Sequence, residues 1–221
     1  MRGRMRLFRL LFLSRGDNFR MFVCFEGIDG AGKSTQAALL FASFQRVGLA
    51  AELVRDPGTT RLGQAIRQLI LDCDEPITPA AQALLFSAAR AELSDYVQRQ
   101  LDAKKIVICD RWLLSTLVYQ AGISEDLILS VFNDTCVLPD MCFLLDIPPM
   151  AAEERRAGLR RKDRYEKATL EDKEFRRSAY LKYAKIAQCA KSVHVFDATA
   201  AETDLHEQIV ETFFSADRRF L

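Results

Sequence analysis

The eight residues Gly27-Ile28-Asp29-Gly30-Ala31-Gly32-Lys33-Ser34 restrict what this chain can fold into more than any other feature. They fit the pattern G-x-x-x-x-G-K-[ST] and lie between an apolar run, Met21–Glu26, and a segment of helical spacing, Thr35–Val47. Glycines between a strand and a helix let the backbone turn its N–H groups inward, and the helix start adds the positive end of its dipole. Such a turn cradles phosphate oxygens. Lys33 can reach a transferred phosphoryl group, and the Ser34 hydroxyl can ligate Mg²⁺. A chance glycine-rich turn is the bland alternative, and the strand before it and helix behind it count against that. The motif specifies nucleotide binding but leaves the reaction open.

The rest of the chain repeats the strand-then-helix rhythm. Ala51–Val54, Ile106–Cys109, Met141–Asp146 and Val193–Phe196 are short apolar runs, read as strands buried on both faces of a parallel sheet. Leu62–Leu71 and Pro79–Ala103 carry helical spacing. The expected fold is α/β, with about five parallel strands flanked by helices on both faces and ligands bound beyond the carboxyl ends of the strands. With 221 residues, 49% hydrophobic and 28% charged, and no repeat or low-complexity linker, one domain over residues 21–221 is the economical reading. A net charge of +1 gives no global field toward nucleic acid or membrane, so anion binding must come from local clusters. No apolar stretch of about 18 residues could span a bilayer.

Six cysteines lie far apart, without a C-x-x-C pair or a nearby His at metal spacing, which argues for a reduced cytoplasm and against structural zinc or disulfides. Residues 1–20 differ from the rest, with six Arg against one acid. Arg9 interrupts the apolar stretch that a secretory signal would need. An organelle-type targeting peptide is one reading of this segment, and a disordered extension ahead of a core starting at Met21 is the preferred one.

Among nucleotide-binding chemistries, a GTPase would need an N-K-x-D segment, and the sequence contains none. Scattered Arg suit a small kinase that must neutralise two phosphorylated ligands held tail to tail. The ordered motifs then become specific. Phe25-Glu26-Gly27 through Ser34-Thr35 resembles the phosphate loop of the thymidylate kinase family. Arg55-Asp56-Pro57-Gly58-Thr59-Thr60 with Gly63 resembles that family's R-E-P-G-G-T-x-x-G, departing at Asp56 and Thr59. Ile66-Arg67 with Leu69-Ile70-Leu71, Leu85-Phe86-Ser87-Ala88-Ala89-Arg90, Asp110-Arg111-Trp112, Ser115 to Gln120, Leu144 to Pro149 and Asp163-Arg164-Tyr165-Glu166 continue the series. The resemblance covers roughly Met21 to the C-terminus. It implies the P-loop NTPase fold with a helical lid at about 151–167, ATP-dependent phosphorylation of dTMP to dTDP with Mg²⁺, and a cytoplasmic homodimer.

The resemblance also implies roles. The loop residues Gly27, Ile28, Asp29, Gly30, Ala31, Gly32, Lys33, Ser34 and Thr35 would hold ATP, and Asp29 would also contact the acceptor's 3′-hydroxyl. Arg55 and Arg67 would bind the acceptor phosphate, and the Asp56–Pro57 bond is expected to be cis. Read from the residues alone, the alternatives are an exposed Arg55 at a Pro-Gly turn and a solvated Arg67 on a helix face, and the phosphate role is preferred for both. Phe86 and Arg90, four apart on one helix face, would stack on thymine and donate to its O4 edge; Phe86 alone would more often be core. A donor facing that edge accepts thymine or uracil and opposes the cytosine amino group. Thr116 and Gln120 resemble base-contacting positions, and Tyr119 the ring that crowds the sugar 2′ position.

Asp110 and Arg111 end a buried strand, a costly place for an unpaired ion pair unless ligands or Mg²⁺ use it. Asp110 would serve the metal or its waters, together with Ser34, and Arg111 would bridge the two phosphates. Some thymidylate kinases place a catalytic Arg at the position of Gly30. Others have Gly there and supply the cation from the lid, and the basic stretch Arg155–Arg164 resembles that second, bacterial-type arrangement. The lid candidates are Arg160, Arg161 and Arg164. His194 belongs to the last strand, and Asp197-Ala198-Thr199 would border the adenine. Another small P-loop kinase, for a deoxynucleoside or a different monophosphate, is the nearest alternative; a non-catalytic nucleotide-binding module is a more distant one.

Overall fold

Each of the five strands is an apolar run that ends on a charged residue, which sets the layout of the whole molecule. The computed structural model describes residues 20–72, 77–120, 123–157, 168–186 and 189–216. The strands are β1 (Met21–Glu26), β2 (Ala51–Arg55), β3 (Ile106–Asp110), β4 (Met141–Asp146) and β5 (Ser192–Asp197). They form one parallel sheet in the order β2-β3-β1-β4-β5. The register pairs Met21 with Ile106, Val23 with Met141, Ala51 with Ile106 and Met141 with Ser192. All five carboxyl ends therefore lie along one edge, carrying Glu26, Arg55, Asp110, Asp146 and Asp197. The chain passes to β2 and β3 on one side of β1 and to β4 and β5 on the other, so the crevice of this open sheet lies at the end of β1.

The helices are α1 (Lys33–Arg46), α2 (Arg61–Asp72), α3 (Pro79–Asp102), α4 (Leu113–Tyr119), α5 (Glu125–Thr135), α6 (Pro149–Arg156), α7 (Leu170–Tyr183) and α8 (Glu202–Ala216). Their starts follow local chemistry. Thr78 accepts a hydrogen bond from the Ala81 N–H ahead of Pro79, Ser124 caps α5, and Thr169 with Asp172 forms a reciprocal capping box on α7. The main core sandwiches β1, β3 and β4 between helices, with edge-on ring contacts of Phe22 with Trp112 (5.0 Å) and Phe25 with Phe143 (5.3 Å). A smaller cluster of Ile66, Ile70 and Ala89, with Leu85 and Phe86 against it, joins α2 to α3.

The α/β reading and all five strands expected from the sequence are present, with β2 and β3 reaching one residue further into polar sequence and β5 one residue further at each end. One expectation changes. β1 and β3 are buried throughout, but β2 and β5 are only partly so, with Leu53 and Val195 exposed. They are the two edges of the sheet, where fewer helices can cover a strand. The segment expected as a lid at 151–167 begins in α6; residues 158–167, and with them Arg160, Arg161 and Arg164, lie outside the described residues. The same holds for residues 1–19 of the N-terminal extension.

Candidate active site

Two clefts open at the carboxyl edge and share a wall. The first is lined by Gly30–Gln36 of the phosphate loop and α1, by Asp110, by Arg155 and Arg156 of α6, and by Thr199–Glu202. The second is lined by Asp56, Arg67, Phe86, Arg90, Thr116, Tyr119 and Gln120 among others. Asp29, Arg55 and Arg111 line both. Every acceptor-binding residue expected from the sequence lies on the second cleft, although those residues come from six different stretches of chain.

The phosphate loop works through close backbone approach. A Cβ on Gly27, whose φ is +138°, would meet the Leu145 carbonyl oxygen at 2.5 Å. At Gly30, φ +90°, a Cβ would meet the Ala152 carbonyl oxygen of α6 at the same distance. Any side chain at Gly30 is therefore excluded by backbone, so the cations of this cleft are Lys33, Arg55, Arg111 and, from α6, Arg155 and Arg156. The Lys33 ammonium donates to the Ile28 carbonyl at 2.8 Å. Burial, and then the nearby Arg111 charge, pushes the Lys33 pKa down to about 8. Ser34 donates to Asp110 Oδ2 at 2.5 Å, and Arg55 approaches the same oxygen at 4.0 Å. The other carboxyl oxygen of Asp110 is buried without a hydrogen-bond partner.

Asp110 and Arg111 do not serve one another. Arg111 has a left-handed backbone, φ +76°, anchored by its N–H to the Phe25 carbonyl at 2.9 Å. Its guanidinium pairs with Asp29 and lies 5.6 Å from the Tyr119 ring centroid. Burial would raise the Asp29 carboxyl, but the Arg111 and Lys33 charges outweigh it and hold that carboxyl well below the usual range. The Tyr119 hydroxyl donates to the second oxygen of Asp29 at 3.1 Å. Arg176 of α7 also lies over Tyr119, 4.7 Å from the ring centroid.

Deeper in the second cleft, Arg90 donates from Nε to Asp56 Oδ2 at 2.6 Å, with both side chains buried. The Arg90 guanidinium also sits 5.7 Å from the Trp112 ring centroid. The Asp56–Pro57 peptide bond is cis, as the resemblance implied. Gln120 is buried, and its Oε1 has no hydrogen-bond partner. His194 lies on β5, and neither it nor His206 lines either cleft. Among the described residues, no group of three or more His, Cys, Asp or Glu is placed to hold a metal ion.

Sequence reading missed four participants: Arg155 and Arg156 on the wall of the first cleft, Asp56 as the partner of Arg90, and Arg176 over Tyr119. Only the two α6 arginines left a signal, in the basic run after Pro148-Pro149.

The chain is similar to known proteins over most of its length. The family model described as thymidylate kinase matches residues 25–209. A thymidylate kinase of Kosmotoga olearia is 35% identical over 202 residues, covering 87% of this chain and 95% of that protein. One of Fervidobacterium nodosum is 38% identical over 200 residues, covering 87% and 98%. A crystal structure of thymidylate kinase from Ehrlichia chaffeensis matches with a TM-score of 0.66 at 29% identity, covering 88% of this chain and 99% of that one. The chain belongs to the thymidylate kinase family.

Proposed function

We propose that this protein transfers the γ-phosphoryl group of ATP to the 5′-phosphate of dTMP, giving dTDP and ADP. The observation that carries the reading is the shared wall: Asp29, Arg55 and Arg111 line both clefts, so two phosphorylated ligands would meet there end to end. In this reading the first cleft takes ATP on the loop Gly27–Thr35, with Thr199 beside the adenine. The second cleft takes dTMP, with Arg55 and Arg67 on its phosphate and Phe86 against its ring.

Transfer requires no covalent enzyme intermediate. An oxygen of the dTMP phosphate forms the new bond to the γ-phosphorus as the bond to the β–γ bridging oxygen breaks, and ADP leaves with that electron pair. The acceptor oxygen is already ionised near neutral pH, which suits a site whose clefts contain no histidine. Lys33 and Arg111 offset the charge on the transferred group, and Arg111, fixed by Asp29, aligns donor and acceptor. Cations from Arg160, Arg161 or Arg164 complete the neutralisation in this reading, a role supported by the exclusion of any side chain at Gly30.

The donor set suits Mg²⁺. Ser34 and Asp110 offer hard oxygens, the unpaired Asp110 oxygen faces no competing donor, and Mg²⁺ is usually held by one or two carboxylates plus phosphates and water. When bound, the ion would supply positive charge against the phosphate oxygens. For the acceptor, Asp29 is held ionised to accept the 3′-hydroxyl, and the Tyr119 ring it anchors crowds the 2′ position. The Gln120 oxygen is an acceptor in need of a donor, which the N3–H of thymine provides. A cytoplasmic homodimer belongs to the same reading, the dimer being open to light scattering of the purified protein. ADP release measured with dTMP, dUMP, dCMP, UMP and thymidine tests the assignment. Turnover should be fastest with dTMP, and faster turnover of thymidine would overturn it.

A further inference from the structure

The reaction described above leaves one buried acid without a task. Glu26 ends β1, is fully buried, and lines neither cleft. Its two oxygens nevertheless accept three hydrogen bonds from the turn residue Trp112 and from Ser115 in the first turn of α4. Oε1 accepts from the backbone N–H of Trp112 at 2.7 Å and of Ser115 at 3.1 Å, and Oε2 accepts from the Ser115 hydroxyl at 2.6 Å. A carboxylate so placed satisfies the free N–H groups at the start of α4 and complements its dipole.

Arg111 lies directly before this turn. Its positive φ is a conformation that an L-residue adopts only when its surroundings enforce it. The enforcement comes from both sides: the Arg111 N–H is tied to Phe25 of β1, and the next N–H, that of Trp112, is tied to Glu26 of the same strand. The side chain is held as well. Arg111 Nη1 donates to Ser115 Oγ at 3.2 Å, and Ser115 Oγ lies 2.9 Å from the Tyr180 hydroxyl. A guanidinium can only donate, so the Ser115 oxygen accepts from it, and the single Ser115 proton goes to Glu26 Oε2, the shorter of its two remaining contacts.

We propose that Glu26 is the positioning residue for Arg111, holding its backbone through Trp112 and its guanidinium through the Ser115 hydroxyl. This rests on the kinase reading, in which Arg111 spans the two phosphates. Glu26 itself touches neither ligand. A glutamine at this position keeps the size but turns an N–H toward the Ser115 proton, so the chain of donors can no longer run from Arg111 to residue 26.

The test is a double-mutant cycle of Glu26→Gln with Arg111→Lys, which keeps a cation but loses the fork. Glu26→Gln should lower kcat about 10- to 100-fold while moving the KM for dTMP less than about threefold, a misplacement effect. In the Arg111→Lys background it should add less than about threefold, because residues acting as a unit are non-additive. Full additivity, or a folded Glu26→Gln enzyme within about twofold of wild-type kcat, would overturn the proposal. If Glu26→Gln does not fold, Ser115→Ala carries the same cycle: it leaves the two backbone bonds to Glu26 intact and should still lose about tenfold in kcat. The kinase reading fails on a different result, a wild-type protein inert toward every monophosphate. The clamp is then read from the Arg111 side-chain 15N–1H resonance, identified by its loss in Arg111→Lys. Glu26→Gln or Ser115→Ala must shift that resonance, and an unmoved signal would sink the clamp.

Discussion

The two clefts meet at Arg111, yet they are built in opposite ways. The longest single piece of the phosphate cleft's wall is one continuous stretch, Asp29–Gln36, acting through backbone that glycine brings close to its neighbours, with Arg55, Asp110–Arg111, α6 and the start of α8 completing the wall. The acceptor cleft has no such stretch. Its wall takes single side chains from the phosphate loop, the turn after β2, α2, α3, the end of β3 and α4, and a buried ion pair joins two of them across 34 residues of sequence. The first is a local device that most sheets of this type could carry. The second exists only once the sheet and its helices have assembled, so its failure modes should be those of folding and fit rather than of a single motif.

If that contrast is right, the largest effect should come from cutting the ion pair that holds the acceptor cleft together. Asp56→Ala leaves the Arg90 charge buried without its partner and should cost about 3–5 kcal/mol in unfolding free energy. Urea denaturation measures this, and a loss under about 1 kcal/mol would mean the cleft does not depend on the pair. The phosphate cleft should fail differently. Lys33→Ala is expected to lower kcat by about 10²–10³-fold, with the KM for dTMP changed less than about threefold. A parallel collapse in dTMP binding would merge the two clefts into one unit and end the comparison.

Phe86→Ala should do the reverse, raising the KM for dTMP by roughly 10- to 100-fold through lost ring stacking while leaving the ATP Kd within about twofold. Calorimetry with each nucleotide separates the two. The smallest effect is one of pH. Lys33 has a folded-state pKa of about 8, below the free-lysine value of 10.5. Its charge is present below pH 8 and lost above, so ATP affinity should weaken up to about tenfold between pH 7 and pH 9. Stability moves the other way. Between about pH 8 and 10.5 the unfolded lysine binds the proton that the folded one releases, so this residue's contribution to stability rises with pH. Lys33→Arg, charged throughout, should flatten the affinity profile, and an unchanged slope in that variant would assign the titration elsewhere.

The legibility of the chain follows the same division. Lys33 and Ser34 could be placed from the sequence because strand, glycine turn and helix start are neighbours, and their geometry is set within ten residues. Phe86 and Arg90 could be put on one helix face by their spacing, and they do share the acceptor cleft. That Arg90 leans on Asp56 could not be read, since nothing local in either segment signals the other. Glu26 was hidden for a related reason. A glutamate that ends an apolar strand looks like the point where the chain meets water, whereas here it is covered by α4 and bonded to Trp112 and Ser115. Sequence reading gave Tyr180 and Arg176 no part, and they reach the site because α7 packs beside α4.

By itself, the sequence determined the α/β alternation and the phosphate loop with its Lys33 and Ser34, and it supplied an expectation of which side chains would face an acceptor. These are short-range properties, written in apolar runs, helical spacing and glycine positions. The tertiary structure alone decided that two edge strands are partly exposed, and that the backbone of α6 closes off Gly30. It also decided that Asp110 turns to Ser34 while Arg111 turns to Asp29, and that Glu26 stands behind Arg111. Those outcomes depend on which carboxyl ends the strand order makes adjacent, and strand order is set by long-range packing rather than by any local pattern.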